Sequence, residues 1–239
     1  FKKMPVNLIA VDEAHCISQW GYDFRPSYLR IAEVREQLKV PVIALTATAT
    51  PEVVEDIQQK LLFKNGQVFK KSFARKNLSY VVRPTINRLK SLVDILQKVN
   101  GTAIVYVRNR RRTKEIADAL NKQRIKADYY HAGLPPDQRN RKQNEWMTNK
   151  TRVIVCTNAF GMGIDKPEVR VVAHMDVADS LEAYFQEAGR AGRDEQKAYA
   201  VQLLENADLA ELDEKIKEGF PTVELVREVY DKLGGYLRI

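Results

Sequence analysis

The stretch Val6-Asn7-Leu8-Ile9-Ala10-Val11-Asp12-Glu13-Ala14-His15 sets two acids at the end of an apolar run. An apolar run of this length, closed by charge, reads as a buried strand of a parallel sheet. In such sheets the reactive groups gather beyond the carboxyl ends of the strands. One acid there can hold Mg²⁺ beside phosphates and the next can orient an attacking water. A polar turn would use the same two residues, so the tetrapeptide alone leaves both readings open.

Working outward, strand-like and helix-like segments alternate, which predicts an α/β fold with parallel strands. Strands are predicted at Val6–Val11, Val42–Leu45, Thr102–Val107, Ala127–Tyr130, Val153–Cys156, Val169–Val172 and Ala198–Leu204. Helices are predicted at Tyr28–Leu38, Pro51–Leu62, Thr113–Gln123, Arg139–Met147, Leu181–Ala188, Ala207–Lys217 and Thr222–Leu233. Thr50 and Pro51 form a helix start. Leu89, Leu92, Val93 and Leu96 recur at the spacing of one buried helical face. The less periodic Phe63–Arg83 reads as a bridge between two domains, and Gly234-Gly235 as the end of the last helix. The expected organisation is 1–84, 85–205 and a helical extension over 206–239. The first unit looks incomplete: it offers two strands and no GxxxxGK[ST] phosphate loop.

The 239 residues carry a net charge of +8, unevenly spread. From Asn206 onward five Lys and Arg face eight Asp and Glu, a net of −3 that leaves +11 for the rest. A basic body with an acidic tail points to a polyanionic partner. Cys16 and Cys156 form no CxxC pair, so neither a zinc site nor a disulfide framework is expected. No run approaches the roughly 20 apolar residues that span a bilayer. A cytoplasmic location fits both observations.

Four further segments carry chemistry. Cys16–Tyr28 packs aromatics with Arg25 beside the acids; such a loop can stack on unpaired bases, or simply fill a core. Thr46, Thr48 and Thr50 follow a strand, where small hydroxyls can bond neighbouring carboxylates or cap a helix. Thr157–Asp165 places glycines at a strand's end, where backbone can approach phosphate. Gln186–Asp194 holds Arg190 and Arg193, each directly after a glycine and able to reach a transferring phosphoryl group.

Together these segments resemble the RecQ family of superfamily 2 DNA helicases. Asp12–His15 is similar to the family's DEAH motif, Cys16–Tyr28 to its aromatic-rich loop, and Leu45–Thr50 to the motif coupling hydrolysis to DNA. Tyr130-His131-Ala132-Gly133-Leu134, Phe160–Pro167 and Gln186–Asp194 follow in family order. The Gln-Trp-Gly-x-Asp-Phe-Arg-Pro string separates this family from DEAD-box RNA helicases. The resemblance implies two RecA-like domains that take ATP and Mg²⁺, 3′-to-5′ movement on single-stranded DNA, and unwinding of duplex or branched DNA. It implies that Asp12 holds Mg²⁺ and that Glu13 activates water, with Arg190 and Arg193 as arginine-finger candidates. Gly163, Asp165 and Gln186 fall among the nucleotide-binding residues. His15, Gln19, Trp20, Phe24, Arg25, Thr46, Thr48 and His131 fall to DNA binding and coupling. Tyr22 stands where the family commonly has histidine. Asn206–Ile239 has no cysteine where the family usually carries a four-cysteine zinc module, so it resembles a zinc-free variant leading toward a winged-helix domain. With no phosphate loop present, the chain alone is expected not to hydrolyse ATP, and a non-catalytic nucleic-acid-binding module stays open as the alternative.

Overall fold

The computed structural model describes residues 5–19, 24–47, 49–72, 74–161 and 164–236. They group into two compact units, Phe1–Arg75 with Asp179–Gln186, and Lys76–Ala178 with Glu187–Ile239.

In the first unit β1 (Ile9–Val11) pairs in parallel with β2 (Val42–Ala44), Ile9 opposite Val42 and Val11 opposite Ala44. Both strands are shorter than the apolar runs that contain them. Leu45 N–H still donates to the Val11 carbonyl at 2.8 Å, and Ala14 N–H donates to the Leu45 carbonyl at 2.9 Å. A 3₁₀ turn covers Ala14–Ile17. The helix expected from Tyr28 begins as a second 3₁₀ turn at Pro26–Arg30 and becomes α-helical only in α1 (Ile31–Leu38). Helix α2 (Pro51–Lys60) starts where the Thr50 hydroxyl accepts from Val53 N–H, the satisfied N-cap the sequence predicts. Val53, Ile57 and Leu61 close over Val11, Ala14 and Ile17, so this small core pins the residues flanking the two acids. Each such aliphatic side chain contributes about 1.5–3 kcal/mol on burial.

The second unit runs β3 (Leu78–Pro84), α3 (Arg88–Lys98), β4 (Thr102–Tyr106), α4 (Arg110–Lys122), β5 (Ala127–Tyr130), α5 (Pro136–Met147), β6 (Val153–Cys156), β7 (Val169–His174) and β8 (Ala198–Leu204); of α6 (Leu181–Ala188), which lies between β7 and β8 in sequence, it holds only Glu187 and Ala188. Six strands form one parallel sheet in the order β3-β8-β7-β4-β6-β5. The α/β class and parallel sheet expected from the sequence are therefore present. Strands β4 and β6 are buried along their whole length, which is why they read as unbroken apolar runs rather than alternating ones. Asn87 and Asn109 cap α3 and α4.

Three sequence expectations are corrected. The final residues of Phe63–Arg83 are not a bridge but strand β3, at the edge of the sheet beside β8. Gly234-Gly235 does not end the last helix: after α7 (Asn206–Gly219), α8 runs from Val223 to Tyr236 through both glycines. Leu89 is exposed, and Ile95 joins Leu92 and Leu96 on the buried face of α3 instead.

Helix α7 is fastened by its first turn. Glu205 and Asp208 form a reciprocal capping box. Arg88 reaches Asp208, Glu205 and Asp176 together, and Arg112 shares Asp176.

Candidate functional site

Asp12 and Glu13 lie exposed just past the end of β1, where the sheet argument expects reactive groups. Glu13 adopts the left-handed conformation, φ 48° and ψ 43°. A residue with a Cβ takes that shape at a cost of about 1–2 kcal/mol. Its N–H bonds the Asp12 carboxylate at 2.9 Å. The resulting reversal turns His15 back toward Glu13. His15 is 1% exposed, and its Nδ1 lies 3.0 Å from the Thr46 hydroxyl and 3.4 Å from the Glu13 carboxylate. One buried imidazole thus touches the acid after β1 and the hydroxyl after β2. Of the threonine segment, read as bonding carboxylates or capping a helix, Thr50 caps α2 and bonds Glu52, and Thr46 bonds the histidine.

The loop that follows is tied back at several points. Arg25 N–H donates to the Cys16 carbonyl at 2.8 Å, and the Tyr28 hydroxyl to the Asp12 carbonyl at 3.3 Å. Ser18 donates to Asp56 at 2.6 Å, which holds the Asp56 carboxyl below the usual range. Gln19 and Arg25 are exposed and Phe24 is half-buried. Trp20 and Thr48 lie outside the described residues.

The second unit brings together the glycine loop after β6 and the arginine turn after α6. Phe160 is buried edge-on against Tyr130 at 4.8 Å and Trp146 at 5.3 Å, which anchors the loop. Lys166 anchors its far end: buried, it donates to the Met147 carbonyl at 2.8 Å, pairs with Glu168 at 2.8 Å and lies over the Trp146 ring. Gly161 has φ +147°, and its carbonyl accepts from Arg190. A Cβ at Gly161 would collide with that guanidinium, so glycine is required here by contact as well as by conformation. The two arginines differ. Arg190 is committed to the Gly161 backbone. Arg193 is 39% exposed and pairs at 2.8 Å with Asp165, itself 77% exposed. Gln186 is half-buried; Gly163 lies outside the described residues.

His131, after β5, sits near Arg110 at the start of α4. Burial, then Arg110 and Lys142, push its imidazole below the ordinary value, so it is neutral at pH 7. Sequence reasoning missed the polar groups beneath the arginine turn. The Tyr106 hydroxyl donates to the Phe160 carbonyl at 3.0 Å, and His174 bonds Glu187 at 2.8 Å. Both Tyr106 and His174 sit at strand ends, a position that carried the only available signal.

For Mg²⁺ the relevant donors are the hard carboxylate oxygens of Asp12 and Glu13. Among the described residues no cluster of three or more His, Cys, Asp or Glu could cage a metal. One or two carboxylates are what Mg²⁺ uses when waters and substrate phosphates complete its octahedron, so the residues fit it. No described helix is long and apolar enough to cross a membrane.

A family model for DEAD/DEAH box helicases matches residues 3–57, and one for the helicase conserved C-terminal domain matches residues 85–195. The RecQ-like DNA helicase blm-1 of Caenorhabditis elegans is 43% identical over 220 residues, covering 89% of this chain and 22% of that protein. The probable ATP-dependent DNA helicase RecS of Bacillus subtilis is 39% identical, covering 90% of this chain and 44% of that protein. The chain therefore spans less than half the length of these relatives. Among solved structures, Saccharomyces cerevisiae Dbp5 bound to RNA and ADP BeF3 superposes with a TM-score of 0.66 at 18% identity, covering 89% of this chain and 57% of that one. That likeness concerns the fold alone.

Proposed function

We infer, from a chain that belongs to the RecQ family of helicases, that it is motor machinery of an ATP-dependent DNA helicase moving 3′ to 5′ on single-stranded DNA. The observation that carries this reading is the buried His15, whose Nδ1 bonds the Thr46 hydroxyl and lies 3.4 Å from the Glu13 carboxylate. A nucleic-acid-binding module without catalysis has no use for an exposed acid held in a strained turn by a buried imidazole. A motor does, because the acid's position must depend on what the neighbouring segments bind.

In this reading Asp12 holds Mg²⁺ and Glu13 orients and deprotonates the attacking water. When bound, Mg²⁺ neutralises phosphate charge. Arg193, whose exposed partner is readily exchanged, stabilises charge on the transferring phosphoryl group. Arg190 fixes the turn that presents it. His15 and Thr46 relay between the acid and the loop that carries Gln19, Trp20, Phe24 and Arg25. Stacking and phosphate contact by that loop engage single-stranded DNA. His131 adds a phosphate contact from the second unit, and Asp165, Gln186 and Gly163 belong to the nucleotide-responsive set.

The test is Glu13→Gln in the helicase bearing these residues. The amide keeps the shape and removes the base. Hydrolysis should fall roughly a hundredfold or more while ATP and DNA binding persist, the usual scale for lost general-base assistance. Unchanged hydrolysis would remove Glu13 from the water-activating role. A wild-type protein that binds DNA in a salt-dependent manner yet never hydrolyses ATP would favour the binding module.

A further inference from the structure

Beneath the arginine turn of the second unit runs a continuous set of buried polar contacts that the reading above leaves unused. Glu187, three residues before Arg190, takes His174 Nε2 at 2.8 Å, with His174 1% exposed and the Glu187 side chain 15% exposed. The His174 ring stacks on Tyr106, centroids 5.3 Å apart and planes 21° from parallel. The Tyr106 hydroxyl donates to the Phe160 carbonyl. The next carbonyl, that of Gly161, accepts from Arg190. The contacts therefore close a ring from the arginine turn through β7 and β4 to the glycine loop and back to the turn.

Simple packing does not call for these groups. Two apolar side chains would fill the strand ends at less cost, since a buried hydroxyl, imidazole and carboxylate each need a partner to repay desolvation. Each partner chosen here belongs to the glycine loop or to the last turn of α6, which leads into the arginine turn. Arg190 is also incompletely satisfied: its Nε is buried with no hydrogen-bond partner among the described residues. A guanidinium held from one side only is set by the groups that hold it.

We propose that Tyr106, His174 and Glu187 are positioning residues that lock the glycine loop at Phe160-Gly161 to the turn carrying Arg190 and Arg193, so that loop and turn move as one body. The consequence rests on the helicase reading: a change at the loop is delivered to the arginines without slack. None of the three residues touches nucleotide in this scheme.

Tyr106→Phe is the sharpest perturbation, because it removes one hydroxyl and keeps the ring stacked on His174. Thr102→Val is its control: on the same strand, it removes a buried hydroxyl that donates to the Glu168 carbonyl at 3.0 Å, away from the ring of contacts. Hydrogen exchange on the 239-residue chain should show amides of Phe160 and Ile164 exchanging about tenfold faster in Tyr106→Phe, with α3 unchanged. Thr102→Val should leave those amides as they are. Glu187→Gln, which keeps an acceptor for His174, should stay close to wild type, whereas Glu187→Leu should follow Tyr106→Phe. In the helicase bearing these residues, Tyr106→Phe should lower DNA-stimulated kcat roughly five- to tenfold with KM for ATP within twofold, and Thr102→Val should not. Loop exchange unchanged in Tyr106→Phe would overturn the lock. Faster exchange with unchanged kcat, in a protein whose wild type is active, would overturn the positioning role. A wild type without DNA-stimulated ATPase would overturn the helicase reading and the catalytic consequence with it, a result that no variant is needed to recognise.

Discussion

Replacing each arginine of the turn by lysine should separate two roles that the sequence leaves merged. Lysine keeps the charge but loses the planar fork. At position 190 the fork meets the Gly161 carbonyl in a part-buried setting. Losing that bond leaves a desolvated carbonyl, worth about 1–3 kcal/mol. For a unit of this size, roughly 2–4 °C per kcal/mol predicts a fall in Tm of about 2–12 °C for Arg190→Lys. At position 193 the partner is an aspartate 77% exposed, and exposed pairs contribute roughly 0–1 kcal/mol. Arg193→Lys should therefore leave Tm within about 2 °C of wild type. Catalysis should show the opposite order of specificity. If Arg193 meets the transferring phosphoryl group, Arg193→Lys should lower kcat on the order of 10³-fold or more with ATP affinity nearly kept. Thermal denaturation of the chain and steady-state ATPase of the helicase bearing these residues read the two effects apart. A stable Arg190→Lys protein, or an Arg193→Lys enzyme with normal kcat and weakened DNA binding, would refute the assignment.

His131 gives a pH signature. Its imidazole is depressed by burial and by Arg110 and Lys142, so the folded state favours the neutral ring and stability should decline as pH falls below the ordinary value of 6.5 toward the lower folded one. If His131 meets a DNA phosphate, the phosphate favours the protonated ring, so affinity for single-stranded DNA should tighten between pH 7.5 and 6 by more than in His131→Asn; equal pH slopes would remove it from the interface. Arg88→Met should strand Asp208, whose side chain is 9% exposed, costing about 3–5 kcal/mol and exposing α7 to protease, while Asp176 keeps Arg112; Asp208→Asn added to it should restore part of the loss.

Much of the second unit was legible because its central strands are buried on both faces. Val153–Cys156 and Ala198–Leu204 appear with the bounds their apolar runs suggest, and the half-buried edge strand Ala127–Tyr130 also has its predicted bounds. Strand β3 was not legible. At the sheet edge Tyr80, Val81 and Val82 are all exposed, so neither alternation nor a closed apolar run marks it. Gly234-Gly235 misled because glycine inside a helix costs only about 1 kcal/mol, too little to stop one that neighbouring residues carry. The motifs themselves could be read from spacing, but their partners could not. That Thr46 answers His15, that Arg190 answers Gly161, and that Arg88 gathers Asp176, Glu205 and Asp208 are contacts across 29 to 120 residues of sequence.

The two units spend conformational energy differently, and the difference follows from where their polar groups lie. In the first, the strained residue is Glu13 itself, the acid proposed to act on water. Its left-handed backbone persists because Ala14 bonds Leu45, Cys16 bonds the Glu13 carbonyl, and His15 is buried against Thr46. Strain at a functional residue survives only where its surroundings over-determine it. Those surroundings are bonds to the segment after β2, so whatever engages that segment acts on the acid through the same bonds. In the second unit the arginines carry no backbone strain of their own; positive φ falls on Gly161 and, between the two arginines, on Gly192, which bear it without a Cβ. Their geometry is instead enforced from below, by Tyr106, His174 and Glu187. An acid held under strain can be released by a small shift, whereas arginines held by a buried ring of contacts must move with their loop. A motor needs both: a trigger that yields, and a charged group that arrives only when its whole support has moved.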